Sequence, residues 1–448
     1  RQGRFQQAED YYQQALSIRE ELNVPHAIAT SLGNLATMQS IKGDFSAAKK
    51  SLQKALAIRT EINDDVGVAS INDKLGLLEE EQGDFKTALK YYRDALSIRM
   101  TLGDNWLKAE SMNNIGYIYF LLSQFDEALI YLKQSEQNYL SVNDPMGIIK
   151  VRQSLAQINL QQGNWQSAYQ VFSTTTDDAK ALGLKEEALV AEGFLARLSF
   201  FQGNFKVSES IWHTIKEQVI AAKDSRGETE INLWLAEMYI NTGQLDKARR
   251  VIENIKQNLS DDEKAGEQYQ RYKLLNVELL ANRGEFQSAM RALNDFRARM
   301  NDKTSPLIRF RAVILNNWIA LKSENYSENF IESLEPSLSS VANAHIVDRF
   351  KWQETQALYA LNRLNWEKLE SILNDVLPDL RRLDNYWRQF QFEALLYELK
   401  MNKQVPANAS VYKSSLQRVL LQIPENDHAA FIQLNEFSAL SLSENQEQ

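Results

Sequence analysis

The sequence has no cysteine among its 448 residues, which rules out disulfides and thiolate metal sites. A reducing, cytoplasmic setting is the expectation that fits. Histidine is scarce as well. His26, His213, His345 and His428 are the four present, and none has a second histidine at helical ligand spacing, so no metal site is expected. Positive charge is not in excess: 50 Lys and Arg stand against 59 Asp and Glu, a net charge of −9. That balance argues against a general nucleic-acid surface or an anionic-membrane surface. Long hydrophobic runs are missing too. The longest unbroken one, Ile115 to Leu122, falls far short of a membrane span, and the first residues are too polar for a signal peptide. There is no G-x-x-x-x-G-K-[ST], no G-x-G-x-x-G after a strand, no G-x-S-x-G elbow and no kinase catalytic loop. Neither a cofactor nor an enzymatic activity is therefore expected of these residues.

What is present is a repeat. A large apolar marker recurs at Phe5, Phe45, Phe85, Phe125, Trp165, Phe205, Leu245, Phe286, Tyr326 and Trp366, every 40 residues, with one step of 41 before Phe286. Glycine precedes it by two residues at Gly3, Gly43, Gly83, Gly163, Gly203, Gly243 and Gly284. Three residues after it stand Ala8, Ala48, Ala88, Ala128, Ala168, Ser208, Ala248 and Ala289. Nine residues before it stand Ala36, Gly76, Gly116, Ala156, Ala196 and Ala236. A period of this length is the signature of a solenoid.

Within each period the apolar spacing is helical. Phe45, Ala48, Leu52, Ala55 and Leu56 form one stripe, as an amphipathic helix requires. Gly43 suits the end of the preceding helix, where a left-handed conformation is favoured. Asp44, Asp84, Asn164 and Asn204 are expected N-caps for the next one, and Pro145 suits the first turn of a helix capped by Asp144. Each unit thus reads as helix A, a tight turn, helix B and a longer link. Small residues on both helices allow them to approach closely. The regular array is expected over residues 1–299, worn repeats over 300–400, and a helical cap with a polar tail over 401–448. In the worn part Glu324 and Leu364 replace the turn glycines, and Pro306, Pro336, Pro378 and Pro406 are expected to mark helix boundaries. Because Gly3 already occupies a mid-repeat turn, the chain is expected to be a piece of a longer protein.

Leu35, Ala36, Gly43, Phe45, Ala48 and Ala55, and again Leu75, Gly76, Gly83, Phe85, Ala88 and Ala95, resemble the tetratricopeptide repeat in order and spacing. The usual unit of that family is about 34 residues. The longer step, with Ala15-Leu16-Ser17-Ile18-Arg19 and its copies at 55–59 and 95–99, is similar to the long-repeat branch found in kinesin light chains and bacterial signalling proteins. The resemblance implies an all-α, right-handed α-α superhelical solenoid whose concave wall is lined by helix A. Carried over by motif position, that wall holds Asn34 and Thr37, Asp73 and Lys74, Asn113, Asn114, Tyr117 and Phe120. It continues with Gln153 and Gln157, Arg197, Phe200 and Phe201, then Trp234, Glu237 and Asn241.

Of these, Asn34, Asn113, Asn114, Tyr117, Gln153, Gln157, Arg197, Phe201 and Trp234 are the expected peptide-gripping set. Asn114 and Arg197 are expected to serve capture rather than stability. The implied function is a non-catalytic scaffold that binds a protein or peptide segment, as the interaction or sensory arm of a larger bacterial-type signalling protein. A peptide-responsive regulator, or the regulatory portion of a Ser/Thr kinase or helix-turn-helix factor, is the alternative. Arg19, Arg59 and Arg99 read either as cations complementing helix C-termini or as a basic ladder for an acidic partner.

Overall fold

The structure is a computed structural model describing residues 2–259, 266–323 and 336–435. The described residues form helices with no strand, so the all-α solenoid expected from the repeat is the fold adopted. In order they are α1 (Gln2–Glu21), α2 (Pro25–Ile41), α3 (Phe45–Glu61), α4 (Asp65–Glu81), α5 (Phe85–Leu102), α6 (Asn105–Leu121), α7 (Phe125–Ser141) and α8 (Pro145–Gln161). There follow α9 (Trp165–Ala181), α10 (Lys185–Phe201), α11 (Phe205–Ala222), α12 (Ser225–Asn241), α13 (Leu245–Asn258), α14 (Glu267–Asn282) and α15 (Phe286–Arg297). The last are α16 (Pro306–Lys322), α17 (Pro336–Ala344), α18 (Ile346–Asn362), α19 (Trp366–Arg382), α20 (Tyr386–Asn402), α21 (Ser410–Leu420) and α22 (His428–Asn435). The marker Tyr326, Glu324 and the tail Ser441–Gln448 lie outside the described residues.

Local chemistry sets the boundaries. Gly43 turns the chain with φ 87°, a conformation that costs glycine nothing. Asp44 then caps α3 by accepting from the Ala47 N–H at 2.9 Å, and Asp84 caps α5 from Thr87 at 3.1 Å. The turn survives where glycine is gone: Ser123 and Leu364 adopt φ 60° and 53° at the same place, held by the helices on either side. Asn164 and Asn204 stand at the N-cap positions of α9 and α11 but make no side-chain capping bond. The Asn164 amide donates instead to Asn159 Oδ1 at 3.4 Å. Asp144 accepts from the Met146 N–H at 3.2 Å beside Pro145. Pro306 and Pro336 begin helices, whereas Pro378 sits inside α19 and ends nothing. Burial of Leu373, Val376, Leu377 and Leu380 carries that helix across the missing N–H.

The small residues lie where helix A meets helix B. Ala48, Ala88, Ala128, Ala168, Ser208, Ala248 and Ala289 are each 0 % exposed. A Cβ built on Gly76 would fall 2.7 Å from the Tyr92 ring, and one on Gly116 2.7 Å from Leu132 Cγ. The arginines that end the early B helices are used internally. Arg99 reaches the Leu107 carbonyl at 3.2 Å and Ser111 Oγ at 2.7 Å in the next helix A, and Arg19 makes the equivalent bonds to Ala27 and Ser31. At the second copy the serine position holds Ile71, and Arg59 pairs with Asp64 and Thr30 instead. Arg59 and Arg99 are buried, so these copies are closed to an acidic partner.

Two compact units are present. Unit 1 comprises Arg1–Leu155, Leu259–Gln270 and Asn301–Ser305; unit 2 comprises Ala156–Asn258, Arg271–Met300 and Pro306–Gln448. In unit 1 the Lys303 ammonium reaches Asp84 at 2.9 Å. In unit 2 the turn at Gly163 meets Ile346 and Arg382, the turn at Gly203 meets Trp387, and that at Gly243 meets Phe431.

The close approach gives a direct test. Ala128→Leu should destabilise the protein by about 1–3 kcal/mol through overpacking, with Glu127→Leu on the exposed face as control. Urea unfolding reads it, and equal midpoints for Ala128→Leu and the parent would mean that the repeat phase is misassigned.

Candidate functional site

The residues expected to line the groove divide between the units. In unit 1, Asn34, Asn113, Asn114 and Tyr117 are half-buried on α2 and α6, and Gln153 is buried on α8. Tyr117 stacks on Phe120 with ring centroids 6.0 Å apart, and Phe120 on Phe125 at 5.7 Å. Lys74 donates to Thr37 Oγ1 at 3.0 Å and to the Gly33 carbonyl at 3.4 Å. Burial lowers the pKa of its ammonium. Asp73 is tied to Arg99, and Glu110 stands 3.3 Å from the same guanidinium nitrogen. Burial pushes the Asp73 carboxyl up to about 7 against the pull of Arg99. Asp73 is thus an internal partner rather than an open acid.

In unit 2 Gln157 is half-buried, and three of the expected residues come together. The Arg197 guanidinium lies 5.0 Å from the centre of the Phe201 ring and 5.5 Å from that of Trp234. It also donates to Glu237 at 3.1 Å. Arg197, Phe201 and Trp234 are only 7 %, 2 % and 6 % exposed. This corrects the expectation that Arg197 serves capture alone: its charge is part of the interior. Glu237 shows the same logic from the other side. Burial would raise its pKa, but Arg197, with Lys351, Arg311 and Arg271 beyond, outweighs burial and holds it low.

Beyond this cluster the wall continues. A concavity of about 970 Å³, open to solvent, is lined by helix A of successive repeats in unit 2. From α12 come Glu237, Ile240 and Asn241; from α14 come Arg271, Leu274, Leu275 and Glu278. Arg311, Ile314, Leu315 and Trp318 come from α16, and Asp348, Lys351 and Glu354 from α18. Trp387, Arg388 and Gln391 come from α20. Apolar side chains, Leu275, Leu315 and Trp318 among them, thus share this lining with charged ones.

The charged side chains are paired between helices. Arg311 grips Asp348 in a two-bond fork at 2.7 and 2.9 Å. Lys351 reaches Glu278 at 2.8 Å, Arg388 reaches Glu354 at 2.9 Å, and Arg271 holds both oxygens of Glu230 at 2.7 and 2.9 Å. Burial would raise the Asp348 carboxyl, yet the Arg311 fork brings it down to about 2. The lining acids Glu237, Glu278, Asp348 and Glu354 equal in number the lining bases Arg271, Arg311, Lys351 and Arg388. The charged part of the lining is thus neutral in sum.

A signal for these residues was present. Glu278 stands eight residues before a marker, the offset that Thr37, Tyr117, Gln157, Arg197 and Glu237 share on the wall of earlier repeats, and Arg271, Arg311 and Lys351 share an offset of their own, fifteen before a marker. Extending the frame past residue 245 would have found them. Among the described residues no group of three or more His, Asp or Glu is placed to hold a metal ion. No described helix is long and apolar enough to cross a membrane.

Comparison with known proteins gives a family. The profile described as the MalT-like TPR region matches residues 1–299. No curated protein matches. Among solved structures, a Rap protein complexed with competence and sporulation factor is similar at 14% identity and TM-score 0.44, over 71% of this chain and 99% of that one. A STAND signal-transduction ATPase with a tetratricopeptide repeat sensor, from Pyrococcus horikoshii, aligns at 12% identity and TM-score 0.42, over 82% of this chain and 55% of that one. A tetratricopeptide repeat protein from Parabacteroides merdae aligns at 18% identity and TM-score 0.39, over 63% and 97%.

Two outcomes follow from the buried charges. Arg197→Met should cost up to about 3–5 kcal/mol, because Glu237, its side chain only 15 % exposed, loses its ion-pair partner, while adding Glu237→Leu should recover most of it. Urea melts of the single and double variants decide; a single variant as stable as the parent would put the pair in solvent. His345 gives a pH dependence. Burial depresses its pKa from 6.5 to about 4, with Arg311 acting the same way and Asp348 opposing. Between those values the unfolded chain takes up a proton that the folded chain refuses, so stability is full above pH 6.5 and falls as pH drops towards 4. The loss should reach about 3 kcal/mol, and His345→Gln should flatten that part of the stability-versus-pH curve.

Proposed function

The chain belongs to the MalT-like TPR family, and from that premise we propose that it is a non-catalytic binding scaffold, the sensory or interaction arm of a larger cytoplasmic signalling protein. Its ligand is a protein or peptide segment held against the inner wall of helix A. The observation that carries the reading is the cavity of unit 2. Leu275, Leu315 and Trp318, which line it together with paired charges, offer an anchor site for a side chain, and the polar groups beside them a partner for a backbone. Large aromatic groups in such pockets supply much of the binding free energy.

In unit 1 the same reading assigns Asn34, Asn113 and Asn114, with Tyr117, to gripping an extended backbone, since an amide both donates and accepts. The internal pairing of the wall favours a ligand of low net charge. A strongly charged one would have to break a pair to gain a partner, and leaving a buried charge unpaired is costly.

The test is selection of random peptides displayed on phage against the whole chain, with affinities of the selected peptides then measured by calorimetry. Trp318→Ala should weaken them at least tenfold, about 1.4 kcal/mol or more, while Tyr169→Ala on the exposed face of α9 leaves them unchanged. Peptides that bind both variants as they bind the parent would move the site away from this wall.

A further inference from the structure

Unit 2 has a second line of contacts, separate from the stacking of each repeat on the next. The turns between helices A and B of three successive repeats each receive one element from the end of the unit. At Gly163 a built Cβ would fall 2.6 Å from Ile346 Cδ1, at Gly203 3.5 Å from Trp387 Cβ, and at Gly243 2.9 Å from the Phe431 nitrogen. Ile346, Trp387 and Phe431 are 4 %, 2 % and 0 % exposed. The polar contacts along this seam run to neutral groups. Arg382 donates to the Gly163 carbonyl at 3.3 Å, Lys206 donates to the Leu421 carbonyl at 2.7 Å, and His345 Nδ1 stands 3.2 Å from Gln161 Oε1.

We propose that unit 2 is a clasp that opens and closes along this seam as one body, and that its binding cavity is complete only in the closed form. The proposal rests on the reading of that cavity as the ligand site. The geometry supports it in three ways. The seam advances one repeat at a time, so the three sockets fill or empty together. The cavity wall draws α12 from one bank of the seam and α18 and α20 from the other. Trp387 belongs to both, lining the cavity while packing on Phe200 and Phe205 at centroid distances of 6.1 and 6.2 Å.

A ligand that touches α12 and α18 at once binds the closed form better than the open one and shifts the population towards it. By the same linkage, whatever docks or releases residues 421–431 changes ligand affinity. The site and the far end of the unit then share one equilibrium.

The chain has no cysteine, which makes the test clean. Lys206 and Leu421 are both exposed, so Lys206→Cys with Leu421→Cys leaves the core intact. One sample is bridged with a short bis-maleimide, and the other is capped with N-ethylmaleimide. Amide hydrogen exchange should slow at least tenfold in the bridged protein at all three turns and along α18 and α20. Slowing confined to the neighbourhood of 206 and 421, or none, overturns the clasp.

The dye 1-anilinonaphthalene-8-sulfonate serves as the cavity probe. Saturating the capped protein with it should slow exchange at the same three turns at least threefold; unchanged exchange there overturns the coupling. Equal dye binding by Trp318→Ala sinks the cavity reading alone, and the bridged-against-capped comparison, made without dye, still decides the clasp.

Discussion

The distance between helix A and helix B governs everything else in this molecule. At Ala48, Ala88, Ala128, Ala168 and their equivalents the two backbones are close enough to leave the methyl group no exposure at all. A larger side chain would force them apart. Each later property depends on that spacing: the buried arginines that span the links, the common orientation of the A helices, and the wall they build. An interior packed this densely has little room to absorb an added methylene, so the small residues act as constraints rather than as filler.

On the wall itself the same economy appears as charge pairing. Arg197 with Glu237 and Arg271 with Glu230 join equivalent or near-equivalent positions of adjacent repeats, 40 and 41 residues apart. Lys351 with Glu278 skips a repeat, at 73. Such pairs contribute little net stability over apolar replacements, but breaking one is expensive. They fix the register of one A helix on the next and hold the lining side chains still. A wall with immobilised groups loses less entropy when a ligand arrives.

The fold was legible in the sequence because the repeat carries its own redundancy. Ten markers in phase, with glycine and alanine at fixed offsets, specify a helix pair even where single signals fail, as at Ser123 and Leu364. The candidate site was legible only in part. Arg197, Phe201 and Trp234 were found by motif position, but their mutual stacking and the ion pair to Glu237 were not, since partners on different repeats are set by the approach of helices. The cavity residues on α14, α16 and α18 keep the motif phase, yet only α14 is still followed by its turn glycine, Gly284, and beyond it the pattern no longer draws attention. The N-cap role expected of Asn164 failed for a local reason, a competing bond to Asn159. The boundary expected at Pro378 failed because buried leucines outweigh one lost hydrogen bond.

The sockets at Gly163, Gly203 and Gly243 turn the array into a counting device. A repeat array whose units touch only their neighbours gains or loses a unit with little consequence for the rest. Here the insertion of one repeat between residues 245 and 340 would displace Ile346, Trp387 and Phe431 from all three sockets together. The number of repeats in this segment is therefore tied to a second set of contacts, and only a change that restores the alignment on both sides would be tolerated. A scaffold of interchangeable parts has, along this stretch, become a part of fixed length.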